Sequence, residues 1–193
     1  MAFSISKDEE KGKSIAFTHK LADIPNGGNI AIADLAGDTI LEGSAVGLDK
    51  STGLYHIIKT AKIMASAGST ATSYTVAKGH HFSVGDVVML KASSKAYAIT
   101  AIATNSTNAD YDDITIETTL AAASAGDVLI QAASAGASGS AFKYAPVGMV
   151  GCEISKELNN FVDIVTIGQI DSTRTNAAIG SVISAALPMI NVI

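Results

Sequence analysis

Four histidines and one cysteine are the side chains of this sequence most able to ligate a metal ion or to act as a base or nucleophile. His80 and His81 are adjacent, so on a strand they would point to opposite faces and could not bind one ion together. His19 and His56 lie far away, Cys152 is isolated, and neither an H-x-x-x-H nor a C-x-x-C spacing occurs. We therefore interpret the histidines as surface or loop residues and predict no metal site.

An acidic run from Asn108 to Asp113 places oxygen ligands at alternate positions, like the start of a calcium-binding loop. A count from Asn108 then puts Asp113 where glycine is required and Thr119 where a bidentate glutamate is required. A structural cation remains an alternative, but a polar hairpin loop that also prevents edge pairing fits the run better.

Catalytic motifs are missing from the sequence: no G-x-S-x-G, H-E-x-x-H, Walker or G-x-G-x-x-G pattern occurs. Aromatic residues make up 5% of the chain and Trp is absent, so little is available to stack on a sugar ring. We predict that the protein is not an enzyme, with no catalytic, cofactor-binding or metal-binding residues and no cofactor. A small hydrolase on a β scaffold is the weaker alternative.

Charge argues against a nucleic-acid partner, because the formal net charge is -5 and Arg174 is the single arginine. One cysteine cannot form an internal disulfide, which is compatible with folding inside a cell. The segment from Met1 to Lys13 lacks the apolar region of a secretory signal. The uncharged segment from Thr175 to Ile193 is interpreted as a buried strand or subunit-docking tail, so no membrane partner is expected.

Alternating apolar positions predict mostly strands, separated by turns rich in Gly, Asn and Asp. Ala, Gly, Ser and Thr account for 85 of the 193 residues, which suits tightly packed β layers. The fold class is therefore predicted as all-β, built of small β-barrel or sandwich modules. Expected elements are strands at 12–18, 29–35, 97–103, 113–119 and within 143–170, a turn at 24–28, a hairpin around residues 49–53, and a helix within 175–186.

Two uncharged low-complexity stretches, residues 65–73 and 132–141, are interpreted as joints. They predict an inserted β-rich domain at 65–140 within a domain formed by 1–64 and 141–193. Inside the insert, Ser83–Val88 and Ser124–Leu129 are similar sequences 41 residues apart. Both fit a turn in which Gly precedes Asp and a strand begins, although chance similarity is an alternative reading.

Several segments resemble tailed-bacteriophage proteins. The run from Glu10 to Thr18, the Pro25–Gly28 turn and the hairpin around Asp49 to Gly53 resemble small capsid cement or decoration proteins. Segments of the insert are similar to phage and prophage head-fibre-type proteins of gut bacteria. These segments are His81–Asp86, Lys95–Ile102, Asn108–Asp112 and Gly126–Leu129.

The resemblance implies a virion protein, made in the bacterial cytoplasm, that binds the outside of the assembled head. Its implied partner is the major capsid protein, and its implied state is a homo-oligomer, often a trimer. It would reinforce the shell or display a fibre, with the arm up to about Asp38 on the shell and the insert outward. An adhesin binding a host-surface glycan, or a tail-tube or pilus-like assembly protein, is the alternative.

Overall fold

The computed structural model describes residues 15–156 and 160–193, and it is 42% strand and 3% helix. The all-β prediction is thereby confirmed. In chain order the elements are β1 (Phe17–Asp23), β2 (Gly28–Asn29), β3 (Thr39–Ile40), β4 (Ala45–Leu48), β5 (Tyr55–Ile57), β6 (Thr60–Lys62), β7 (Ser73–Ala77), β8 (Val87–Met89), β9 (Ala96–Thr104), β10 (Tyr111–Ile116), β11 (Val128–Gln131), β12 (Pro146–Val150), β13 (Ile154–Ser155), β14 (Phe161–Val162), β15 (Ile164–Ile170), α1 (Ser181–Ala186) and β16 (Ile190–Val192).

The first sheet has the order β1-β15-β12-β4-β5, with antiparallel neighbours throughout. The C-terminal strand β16 joins it by parallel pairing with β15. One edge of β15 is occupied by β1, so β12 and β16 follow one another along the other edge. Two short pairs, β13 with β3 and β14 with β2, flank this sheet.

The second sheet has the antiparallel order β6-β11-β8-β9-β10-β7, and all its strands come from residues 60–131. It curls, so that the edge strands β6 and β7 approach each other. An isolated bridge between Ile63 and Val76 joins them, together with a 2.8 Å hydrogen bond from the Met64 N–H to the Thr75 carbonyl. No sheet of the described residues closes into a barrel, so the sandwich alternative is the one that fits.

The strands bury both of their faces where the two sheets meet. In β4, β12 and β15, consecutive residues enter different hydrophobic clusters: Met149 joins one and Val150 another. In β11, Leu129 packs into the second sheet while Ile130 packs between the sheets. Successive strand side chains point to opposite faces, so runs such as Val128–Ile130 are apolar throughout rather than alternating.

The division into 1–64 with 141–193 and an insert at 65–140 stays a prediction, because a shared core joins the two sheets. Strand β6 lies before residue 65 yet pairs with β11 in the second sheet. Residues 65–72 connect β6 to β7 inside that sheet, so they are not a joint between the sheets. Residues 132–141, in contrast, do lead from the second sheet to the first.

Three local predictions need correction. The first strand is β1, not 12–18, and residues 12–14 lie outside the described part. The segment predicted as a strand at 29–35 is extended only as far as Ile30, which forms an isolated bridge. A turn follows, closed by a hydrogen bond from the Leu35 N–H to the Ile32 carbonyl, and it buries Ile30 and Leu35. The helix covers only residues 181–186, since it begins after Gly180.

The predicted turn at 24–28 and hairpin around Asp49–Gly53 are present. Asn26 and Gly27 have φ of 64° and 63°, and the Gly27 N–H bonds the Ile24 carbonyl. Strands β4 and β5 pair across the hairpin. In the described part of the chain, no helix is long and apolar enough to cross a membrane.

Candidate functional site

Among the residues that the structure describes, strand β1 lies at the edge of the first sheet, with β15 on one side only. Four consecutive residues, from Thr18 to Leu21, are exposed, and the Leu21 side chain is 77% exposed. An exposed edge strand offers unpaired backbone groups to another chain unless it is blocked. The register with β15 shifts three times, which twists this edge without covering it.

A carboxylate fixes the start of β1. The two oxygens of Glu42 accept hydrogen bonds from the N–H groups of Ala16 and Phe17 at 3.1 and 3.0 Å. The Glu42 carbonyl in turn accepts a bond from the Thr175 hydroxyl. The chain therefore enters the edge strand from a fixed position beside the loop at 172–180.

Exposed apolar side chains lie on both sides of β15 at this end of the sheet. Asp171 bonds the Ala16 carbonyl, and Ser172 bonds the Ile193 carbonyl, so Ile15 and Ile193 lie on either side of this corner. Further along, Gly168 is opposite Lys20 on β1 and bonds the Met189 carbonyl on the other side. These four apolar residues, Ile15, Leu21, Met189 and Ile193, are between 53% and 77% exposed.

We call β1 with Ile15, Met189 and Ile193 the attachment face. Neighbouring strands are about 4.8 Å apart, so the groups on either side of β15 lie about 10 Å from each other in the plane of the sheet. The four residues form two such pairs, Ile15 with Ile193 at the corner and Leu21 with Met189 near Gly168, and a contiguous patch of exposed apolar groups is typical of a surface that another protein covers. Its one charged side chain at the centre, Lys20, is bound to Asp163 at 2.9 Å and to the Gly151 carbonyl.

A buried polar cluster joins the two sheets. Lys59 is 2% exposed, and its Nζ lies 2.8 Å from an Asp86 oxygen. The other Asp86 oxygen accepts a bond from the Gln131 amide at 3.2 Å, and the Gln131 N–H bonds the Lys59 carbonyl. This cluster lies where the chain enters and leaves the second sheet, so it fixes the two crossing segments to each other.

The adjacent histidines lie in a loop, which agrees with their interpretation as surface or loop residues, but their side chains are not at the surface. His81 is 5% exposed, and its Nδ1 accepts the Gly37 N–H at 3.1 Å. Burial lowers the pKa of His81 to about 4, with nearby Lys59 contributing. Burial also lowers the pKa of His80, against the opposing effect of Asp112. Both rings are packed between the loop at 37–41 and the second sheet, His81 against Gly37 and His80 beside Asp112 of β10.

A cleft of about 620 Å³ opens beside these histidines, between the loop at 37–41, the ends of β6 and β7, and the loop at 172–179. Its charged lining residues are Asp38, Lys62 and Lys78. Asp38 pairs with Lys156 at 3.5 Å, and Lys78 with Asp112 at 3.8 Å. Two of the three charges, Asp38 and Lys78, thus pair with neighbours of the same chain, while Lys62 is exposed at the end of β6.

The acidic run 108–113 covers the end of the loop between β9 and β10 and the first three residues of β10, and the two strands form the predicted hairpin. Asn105 donates to both oxygens of Asp113 at 3.0 and 2.9 Å, and Thr75 donates to one of them. The carboxylate is thus satisfied by protein donors. In the part of the chain that the structure describes, no three His, Cys, Asp or Glu side chains are grouped to hold a metal.

The fold and these surfaces define an all-β protein of two packed sheets with an open edge strand. Comparisons with protein-family models, with curated proteins and with solved structures find no match. The sequence analysis placed the arm up to about Asp38 on the shell and read residues 175–193 as a buried strand or subunit-docking tail, but it placed the first strand before residue 19 and did not bring the two segments together. A signal was nonetheless present in the sequence. Leu21 is the one large apolar residue in 18–23, whereas a strand with a buried face has apolar residues at alternate positions.

Proposed function

We propose that the protein is a virion structural protein that binds the outer surface of a phage head. The observation that carries the proposal is the attachment face, an open edge strand that carries the exposed Leu21 and has three further exposed apolar residues near it. Together with the segment resemblances, it supports a chain that attaches to a larger protein surface. The partner is the major capsid protein, and the proposal assigns the chain no catalytic role.

Attachment in this proposal depends on many weak contacts. A single edge strand and a few apolar side chains bury little area, so one copy alone would bind weakly. A trimer that presents three such faces binds the second and third contacts at high effective concentration. The homotrimer is therefore part of the proposal, because it converts weak contacts into durable ones.

The second sheet then points away from the shell. Its chain connections, at residues 58–60 and 131–133, are hydrogen-bonded to each other. The buried cluster of Lys59, Asp86 and Gln131, which we call the Lys59 cluster, holds these connections together. The second sheet is therefore fixed rigidly to the first. This arrangement suits a displayed module on an attached base.

Substitution of Leu21 by Glu tests the attachment face. We expect Leu21→Glu to reduce sedimentation of the protein with purified expanded heads of its phage by about tenfold or more, because a charge replaces a buried apolar contact. Leu21 is already exposed in the free protein, so its thermal unfolding should change little.

Val84→Glu is the matched control, since Val84 is 63% exposed but lies in the turn that leads into β8 of the second sheet. It should bind heads like the unchanged protein. Equal binding of both variants would refute the assignment of this face, and a saturable interaction with a host glycan in place of heads would favour the adhesin alternative.

A further inference from the structure

The two similar sequences of the second sheet form the same turn. At Ser83–Asp86 and at Ser124–Asp127, the aspartate carboxylate accepts the serine N–H at 2.8 Å. The aspartate N–H bonds the serine carbonyl at 3.1 and 3.0 Å. The glycines between them have φ of 95° and 98°, which a side chain would strain.

The equivalence continues into the paired strands. Gly85 and Asp86 exchange hydrogen bonds with Ile99, and Gly126 and Asp127 exchange the same two bonds with Ile63. Strand β8 pairs with β9 in the register that β11 uses with β6. The two strand pairs are therefore copies of one arrangement around the contact between β8 and β11.

Each copy of this arrangement places an aspartate, Asp86 or Asp127, at its end. The site at Asp86 is occupied by side chains of the same chain. The Asp86 carboxylate there holds the ammonium of Lys59 and the amide of Gln131. Both partners are buried, so the site accepts an aliphatic chain that ends in an ammonium group. The filled site is the basis for our inference about the second site.

The second site is open. By the same register, Asp127 corresponds to Asp86, Leu90 to Gln131 and Lys95 to Lys59. Lys95 is exposed and forms no ion pair with any residue that the structure describes. Asp127 instead faces a groove of about 360 Å³, whose apolar lining is Leu90, Val128, Ile130, Ile179 and Val182.

We propose that this groove, the Asp127 groove, binds a lysine side chain presented by a protein partner. The methylene chain of that lysine lies against the apolar lining, and its ammonium group meets the Asp127 carboxylate. The proposal rests on the residues of the groove, on the second sheet and beside α1, and does not require attachment to a head. Lys91 also lines the groove, and its own ammonium is the competitor for Asp127.

A nuclear magnetic resonance titration of the full chain tests the groove, with Nα-acetyl-lysine methylamide as the probe. We expect saturable shifts at the amides of Gly126, Asp127 and Ser181. The norleucine analogue has the same methylene chain without the ammonium, and it should produce weaker shifts. Asp127→Asn keeps an oxygen for the Ser124 N–H but loses the charge, and it should weaken binding by about threefold or more.

Asp110→Asn is the control, because Asp110 is exposed in the loop between β9 and β10. It should bind the probe as before, whereas Ser181→Phe, which fills the groove from an exposed position, should abolish the shifts. Equal shifts with the norleucine analogue, or unchanged binding by Asp127→Asn, would overturn the proposal. The proposal would also be overturned if the wild-type protein did not bind the probe and only the Lys91→Ala variant did. In that case Lys91 of the same chain would occupy the groove.

Discussion

At the scale of single residues, His81 illustrates how burial sets protonation. Its Nδ1 accepts a backbone N–H, and an added proton would face Lys59, Lys156 and His80. The pKa of about 4 therefore follows from desolvation first and from these positive neighbours second. A histidine in this state supports the fold only while it is neutral.

Stability should fall as the solution is acidified from about pH 6.5 to about pH 4. In that window the unfolded chain binds a proton at His81 and the folded chain does not, so protons favour unfolding. The expected loss from this residue is on the order of 3 kcal/mol, with His80 acting in the same direction. Urea unfolding at a series of pH values measures it.

His81→Gln removes the titrating group while leaving an acceptor for Gly37. Its unfolding free energy should depend less steeply on pH across the window. His19→Gln changes an exposed histidine on β1 and should keep the full slope. An unaltered slope in His81→Gln would show that other groups govern the acid response.

The chemistry of single residues was only partly predictable. The absence of histidine and cysteine spacings could be seen in the sequence, and so could the polar hairpin at 108–113. Burial of His81 and His80 could not, because His81 contacts Gly37 and His80 lies beside Asp112, and both partners are distant in sequence. No local pattern records such a contact.

At the scale of elements, the Lys59 cluster ties β6, β8 and β11 together. Lys59→Met should lower the unfolding free energy by about 3 kcal/mol or more, because it leaves the Asp86 carboxylate buried without its cation. Chemical denaturation measures the change. Lys62→Met changes an exposed lysine on β6, the strand that Lys59 precedes. It should change the unfolding free energy by about 0.5 kcal/mol at most.

Adding Asp86→Asn to Lys59→Met should recover part of the loss, since the uncompensated charge is then gone. If Lys59→Met were as stable as Lys62→Met, the cluster would not hold the sheets together.

Turns and hairpins were the elements best predicted, because their signals are local. Gly, Asn and Asp at 24–28 and 49–53 impose positive φ and polar bonds over a few residues. Strand partners were not predictable: β6 pairs with β11 across 66 or more residues, and no alternation shows it. Runs such as Val128–Ile130 hide alternation because both faces are buried.

At the scale of the whole molecule, the alternation of apolar positions was enough to predict the all-β class, and the many small residues suited close-packed layers. The attachment face needed the structure, since it brings together residues 15–21 and 189–193. A chain with such a face is expected to be covered in its working state, either by other copies or by the shell.

Light scattering of the purified chain, alone and mixed with purified expanded heads, tests attachment most directly. We predict a particle of three times the 19.6 kDa chain mass that binds to heads until they are saturated. Binding to heads should be lost in the Leu21→Glu variant. A stable monomer that leaves the mass of the heads unchanged would contradict it.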